Sequence, residues 1–139
     1  IESRRGRTAA ANIIPTSTGA AKAIGLVIPS LSGKMEGVAY RVPVIDGSMV
    51  DVTLTLNRET SKEELNNIFK NNESEALKFT MDPVVSSDVV GLATGALVDG
   101  LSTKVLDANK KQVKIVAWYD NEFGYTAQMI RVMDKLLKL

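Results

Sequence analysis

Cysteine and histidine are both absent from the 139 residues, which removes thiolate nucleophiles, imidazole bases, disulfides and most zinc sites together. What the remaining residues could do is hold an anion. In Ile13 to Pro29, IIPTSTGAAKAIGLVIP, hydroxyls and a glycine run straight into an apolar helical stretch. Ser17, Thr18 and Gly19 stand before the first backbone N–H groups of that helix, which lack intrahelical acceptors and lie at the positive end of its dipole. The same composition also makes an ordinary helix cap, and on these residues alone both readings stay open. Arg41 in VAYRVPV and Arg4, Arg5 and Arg7 in RRGR supply guanidinium forks suited to phosphate. The basic loop has two other readings, a solvated surface and a nucleic-acid patch. Against the second stand the near balance of 17 basic and 16 acidic side chains and the lack of interleaved aromatic residues.

A second candidate is AWYDNEFGY, where Trp118-Tyr119 ends a strand and Asp120 or Asn121 caps the following helix. An asparagine at a helix start could also turn its amide toward a ligand carboxamide. Asp82, Asp88 and Asp99 sit near turn signals without the spacing of an acid–base pair or a metal partner, so no catalytic residue and no metal ligand is assigned within the chain.

These residues need elements to carry them. The length suits one domain, and 45% hydrophobic with 24% charged residues is the composition of a folding chain. Residues 1–12 read as a basic loop. The spacing predicts a short helix from Ser17 or Thr18 to Pro29. VAYRVPVIDGSMVDVTLTLN reads as a hairpin or two sequential strands around Asp46-Gly47. Ser61-Lys62-Glu63-Glu64 matches a capping box, opening a helix to about Asn72 that buries Leu65, Ile68 and Phe69. Short strands follow, broken by Pro83 and glycines. TKVLDANKKQVKIVAWYD reads as a second hairpin turning at Asn109-Lys110. From Asn121 or Glu122 to Leu139 runs a last helix whose apolar residues, among them Phe123, Ile130, Met133, Leu136 and Leu137, cover about two thirds of the wheel. One sheet cannot cover so wide a face, so part of it is meant for something outside this chain or the helix is deeply central. The expected fold is α+β: a mostly antiparallel mixed sheet in two layers, helices on one face, the other face available for subunit packing. With no apolar run of about 20 residues and no apolar core in IESRRGRTAAAN, a soluble cytoplasmic protein is expected.

RRGRTAAANIIPTSTGAAKAIGLVIPSLSGKMEGVAYRVPV, DPVVSSDVVG and WYDNEFGYTAQMIR, in that order, closely resemble the C-terminal part of phosphorylating D-glyceraldehyde-3-phosphate dehydrogenases. The likeness runs over essentially the whole chain. It implies a glycolytic oxidoreductase in which a cysteine thiolate attacks the aldehyde, a histidine acts as base, hydride passes to NAD, and inorganic phosphate releases the thioester as 1,3-bisphosphoglycerate. By the same resemblance that cysteine, that histidine and the glycine-rich dinucleotide domain lie upstream of the position of Ile1. This chain would then be a catalytic-domain fragment, inactive alone.

Carried over residue by residue, the resemblance implies phosphate contacts at Arg5, Thr18, Gly19 and Arg41. Thr18 and Arg5 fall in the site of the attacking phosphate, and Arg41 is shared with the substrate's own phosphate. Asn121 matches the asparagine that holds the nicotinamide carboxamide, and Tyr125 the aromatic residue beside that ring. The terminal helix, 121–139, would dock on the NAD-binding domain, and the whole would be a homotetramer with sheets packed face to face. Two departures stand out: Val44-Ile45 replaces the family's Thr-Pro after Arg41-Val42-Pro43, and the loop after Glu73 is short. Alternatives are the sister activity on erythrose 4-phosphate and a non-enzymatic assembly module that keeps the fold. NAD rather than NADP is a family expectation.

Overall fold

The structure, a computed structural model, describes residues 4–139; the part of the expected N-terminal loop on residues 1–3 lies outside them. Arg4–Arg7 close a turn through the Arg7 N–H on the Arg4 carbonyl, and a single 3-10 turn follows at Ala9–Ala11. The chain then extends as β1 (Ile14–Ser17) and winds into α1 (Ala20–Val27). Alanine at three of the first four positions favours that helix, and Pro29 ends it by opening another 3-10 turn. After a turn through Gly33, β2 (Val38–Arg41) pairs antiparallel with β1, Ile14 opposite Arg41 and Ser17 opposite Val38. These elements form one unit, which ends at Ile45. Its buried apolar residue is Ile14, and no residue of α1 is buried.

The second unit, Asp46–Leu139, is built on one long strand. β3 (Ser48–Thr55), α2 (Lys62–Asn71), β4 (Leu77–Thr80), β5 (Ala96–Asp99), β6 (Lys104–Leu106), β7 (Asn109–Tyr119) and α3 (Glu122–Leu136) follow in sequence. β7 carries β3 along one side, from Ser48 opposite Tyr119 to Thr55 opposite Gln112. Its other side takes β6 near its start and β5 near its end, both antiparallel. β4 adds to β5 in parallel, so the sheet is mixed and mostly antiparallel. A parallel pair needs a crossover, here the segment that holds the 3-10 turn Ser86–Val89. Val89, Val98, Val113, Val116 and Ala117 form the core, with Leu65 of α2 beside them. The fold is therefore α+β.

Three local expectations are decided or refined. Asp46-Gly47 does turn, with Gly47 at φ +87°, and of the two alternatives the second holds: β2 and β3 are sequential strands in different sheets, not a hairpin. The β6–β7 hairpin turns at Asp107-Ala108, because Leu106 already faces Asn109 across a bulge. Ser61 accepts the Glu64 N–H as the capping box requires. The Glu64 carboxylate also accepts from the Arg58 guanidinium and the Thr60 hydroxyl, and these, Arg58 first, hold its carboxyl below the usual range.

α3 leaves its apolar surface open. Phe123, Tyr125, Met129, Ile130, Val132, Met133, Leu136 and Leu137 are all exposed, and Gly124 is the helix's buried residue. The helix is therefore not central to its unit. Gly124 lies close to the carbonyls of Leu92 and Thr94, while Gln128 and Arg131 both donate to the Ala93 carbonyl. No helix among the described residues is long and apolar enough to cross a membrane.

Candidate functional site

The four phosphate candidates all lie in the first unit, around the β1–β2 ribbon and the start of α1. Directly opposed residues of an antiparallel pair share a face, as do alternate residues along each strand. Ile14, Thr16, Ala39 and Arg41 are therefore on one face of the ribbon. Thr18 continues that series, since its Cγ2 would lie 3.6 Å from a Cβ on Gly37. Arg41 and Thr16 are diagonal neighbours, a separation of about 7–8 Å that an arginine side chain can span.

Arg5 comes to the same face from the loop. Its Nε and Nη2 both donate to Thr16 Oγ1, at 2.9 and 2.6 Å. Thr16 opens the hydroxyl run Thr16-Ser17-Thr18-Gly19, and the resemblance assigns it no contact. Its only local signal is its place two residues before Thr18, in a segment whose strand character depends on a partner some 20 residues later.

At the helix start, Gly19 holds the cap position in ordinary right-handed geometry, φ −87°, and the Thr18 hydroxyl accepts the Ala20 N–H at 3.2 Å. Thr18 is thus the side-chain cap, acting from one position before the assigned one. A Cβ built on Gly19 would meet nothing within 4 Å, so the space over this helix start is open. The helix start, the Thr18 hydroxyl, Arg41 on the ribbon and Arg5 on the loop beside it are groups of the kind that bind anions.

Asn121 and Tyr125 lie in the second unit. Asn121 occupies the cap position of α3 without using its side chain to cap it. Asp120 does that work: Oδ1 accepts the Phe123 N–H at 2.7 Å and Oδ2 the Gly91 N–H at 2.8 Å. The Gly91 N–H first, then that of Phe123, holds the buried Asp120 carboxyl below the usual carboxylate range. Relieved of capping, the Asn121 amide is exposed, and Tyr125, four residues on along the same helix face, is 70% exposed. The cleft at the start of α3 is a different place. It is lined by Asp46, Val90, Gly91, Asp120, Glu122, Phe123 and Thr126, and includes neither Asn121 nor Tyr125.

That cleft brings Asp46 beside Asp120 and Glu122, with carboxylate oxygens within 4.8 Å of one another. No local pattern joins the first of these to the other two. Asp82, Asp88 and Asp99 each serve local structure. Asp82 accepts the Thr80 hydroxyl and Asp88 the Val85 N–H. Asp99 accepts the N–H and hydroxyl of Ser102 and the indole N–H of Trp118. Burial pushes the Asp99 carboxyl up, but the Ser102 and Trp118 donors outweigh it and hold it low.

An α+β protein with an arginine-bearing ribbon beside an open helix start, and a terminal helix with an open apolar face, is the class that fold and geometry define. By sequence, residues 1–121 match the family described as the glyceraldehyde 3-phosphate dehydrogenase C-terminal domain, and the chain belongs to that family. It is 50% identical over 137 residues to the glyceraldehyde-3-phosphate dehydrogenase of Streptococcus pyogenes, covering 98% of this chain and 41% of the relative. The enzyme of the same name from Streptococcus dysgalactiae subsp. equisimilis is 49% identical over the same span and shares. The chain thus spans about two fifths of the length of the curated relatives it matches.

Proposed function

We propose that this chain is the substrate-binding part of a glycolytic, NAD-dependent, phosphorylating glyceraldehyde-3-phosphate dehydrogenase. The single observation that carries this reading is 50% identity sustained over 98% of the chain to a protein of that name. The reaction converts D-glyceraldehyde 3-phosphate, inorganic phosphate and NAD to 1,3-bisphosphoglycerate and NADH. It must hold two phosphate dianions near each other, and their repulsion is offset only by convergent donors of fixed position. Thr18, Gly19 and the first N–H groups of α1 would receive the attacking phosphate together with Arg5. Arg41 would lie between that phosphate and the one on the substrate.

NAD, when bound, supplies the hydride acceptor. Asn121 would hold its carboxamide and Tyr125 would flank its ring, in keeping with the exposed amide and ring on one face of α3. The thiolate and the base of the reaction cannot come from this chain, which has no Cys and no His. They would come from other parts of the protein, against which the exposed apolar face of α3 would dock. A cytoplasmic homotetramer with sheets packed face to face completes the reading.

Titration of inorganic phosphate into the chain, followed by 31P NMR, tests it. Saturable binding is expected, weakened about tenfold or more by Arg41→Ala, the scale of one charge-assisted contact. Unchanged affinity in that variant would remove Arg41 from the site. NADH formation by the 139-residue chain alone would overturn the division of labour.

A further inference from the structure

We infer that Thr16 is a positioning residue for Arg5, holding its guanidinium against the β1–β2 ribbon before an anion arrives. The inference rests on the reading of Arg5 as a phosphate contact and extends it to a residue with no assigned role.

Three observations carry it. First, Arg5 Nε and Nη2 converge on one oxygen, Thr16 Oγ1, across 11 residues of sequence. A hydroxyl has two acceptor lone pairs and one proton. With both N–H groups donating to it, its own proton must point away from the guanidinium, so the contact has one polarity and a defined geometry. Second, Thr16 is anchored on a paired strand opposite Ala39, whereas Arg5 belongs to an exposed loop. The strand-borne hydroxyl therefore gives the loop guanidinium a fixed point of contact. Third, Thr16 shares its ribbon face with Arg41 and with the line of Thr18. A guanidinium held at Thr16 lies on the face that carries Arg41 and Thr18, the other proposed phosphate contacts.

The physical benefit is preorganisation. An arginine on a loop loses much side-chain entropy when an anion immobilises it, and a prior anchor lowers that cost at the moment of binding. A β-branched threonine suits the task, because χ1 in a strand is restricted and the hydroxyl direction is defined.

A double-mutant cycle tests the inference, with inorganic phosphate as the probe on the full chain. Thr16→Val removes the hydroxyl at nearly constant volume. Phosphate affinity should fall about three- to tenfold, the range of one hydrogen bond transmitted through a partner. Thr16→Ser should stay within about twofold of the parent chain, since the hydroxyl is kept. Combined with Arg5→Ala, Thr16→Val should cost nothing further, a coupling that a purely structural role would not produce. The Arg5 Nε–H resonance should be protected from exchange in the parent chain and in Thr16→Ser, and not in Thr16→Val. That signal reads the contact even if phosphate binding is weak.

If Arg5→Ala weakens phosphate while Thr16→Val does not, the positioning role is wrong and the phosphate reading stands. An equal loss from Thr16→Val with and without Arg5 also overturns it. If Arg5→Ala leaves phosphate affinity unchanged, the assignment of Arg5 fails and the inference falls with it.

Discussion

Asp120 and Gly91, 29 residues apart, are joined by a 2.8 Å hydrogen bond from the Gly91 N–H to Asp120 Oδ2, while Oδ1 of the same carboxylate caps α3 through Phe123. One buried side chain thus fixes both the loop before β5 and the start of the terminal helix. The direction of its titration follows. A carboxyl held below its ordinary value contributes stability that is present above the unfolded value of about 3.9 and is lost as pH falls through the lower folded value. Asp99 acts in the same sense. Asp120→Asn should therefore lower the urea midpoint at pH 7, and the gap to the parent chain should narrow toward pH 2. A constant gap across that range would contradict the account. Between pH 5 and 8 the parent chain should change little, because it has no histidine.

Two glycines separate space from conformation. A Cβ at Gly47, where φ is +87°, would lie 2.5 Å from the Ser86 carbonyl oxygen and 3.1 Å from Val89 Cγ2. Gly47→Ala is expected to cost about 2 kcal/mol or more, measured by chemical denaturation. At Gly19, with negative φ and nothing within 4 Å of the added carbon, alanine should change stability by less than about 1 kcal/mol. Any loss of phosphate affinity in Gly19→Ala then reports on backbone approach rather than folding.

The cap of α2 gives a purely structural control. Ser61 Oγ accepts the Glu64 N–H at 3.1 Å, and Ser61→Ala should cost about 1 kcal/mol without altering phosphate binding. A parallel loss of phosphate affinity would show that the binding assay reports global stability.

On α3, Ile130 and Met133 are 59% and 55% exposed. Because they contribute little to the core of their own unit, Met133→Glu should leave Tm within about 2 °C and lower the binding of a hydrophobic dye. A large fall in Tm would mean that this face is already packed within the chain.

How much of this was legible in the sequence depends on the range of the interaction. The Ser61 cap and the stop at Pro29 are set within a few residues, and they are where the spacing puts them; of the expected α2 stripe only Leu65 is buried, Phe69 is half-buried and Ile68 is 45% exposed, because the short strands beside α2 do not reach that far around the helix. The broad apolar wheel of α3 was equally plain, and its exposure is the structural counterpart. β1 leaves no strand signal of its own, because Ile14-Pro15-Thr16-Ser17 is short and carries a proline, and its strand character comes from β2. Around Asp46-Gly47 the local pattern leaves a hairpin and two sequential strands open, and only a distant element decides between them: the turn is real, but β7 is the longer and better partner for β3. Among the site residues, Thr18, Gly19 and Arg41 came from motif and resemblance. The contact of Thr16 with Arg5 and the approach of Asp46 to Asp120 are tertiary and leave no local mark.

The central claim, that the open helix start at Thr18 and Gly19 cradles phosphate, is tested most directly by following backbone amides in a 15N–1H spectrum during addition of inorganic phosphate at constant ionic strength. The account predicts saturable shifts concentrated at Gly19, Ala20 and Ala21, with the Arg5 Nε–H moving in step and no matching response to chloride. Shifts confined to other parts of the chain, or the same response to both anions, would contradict it.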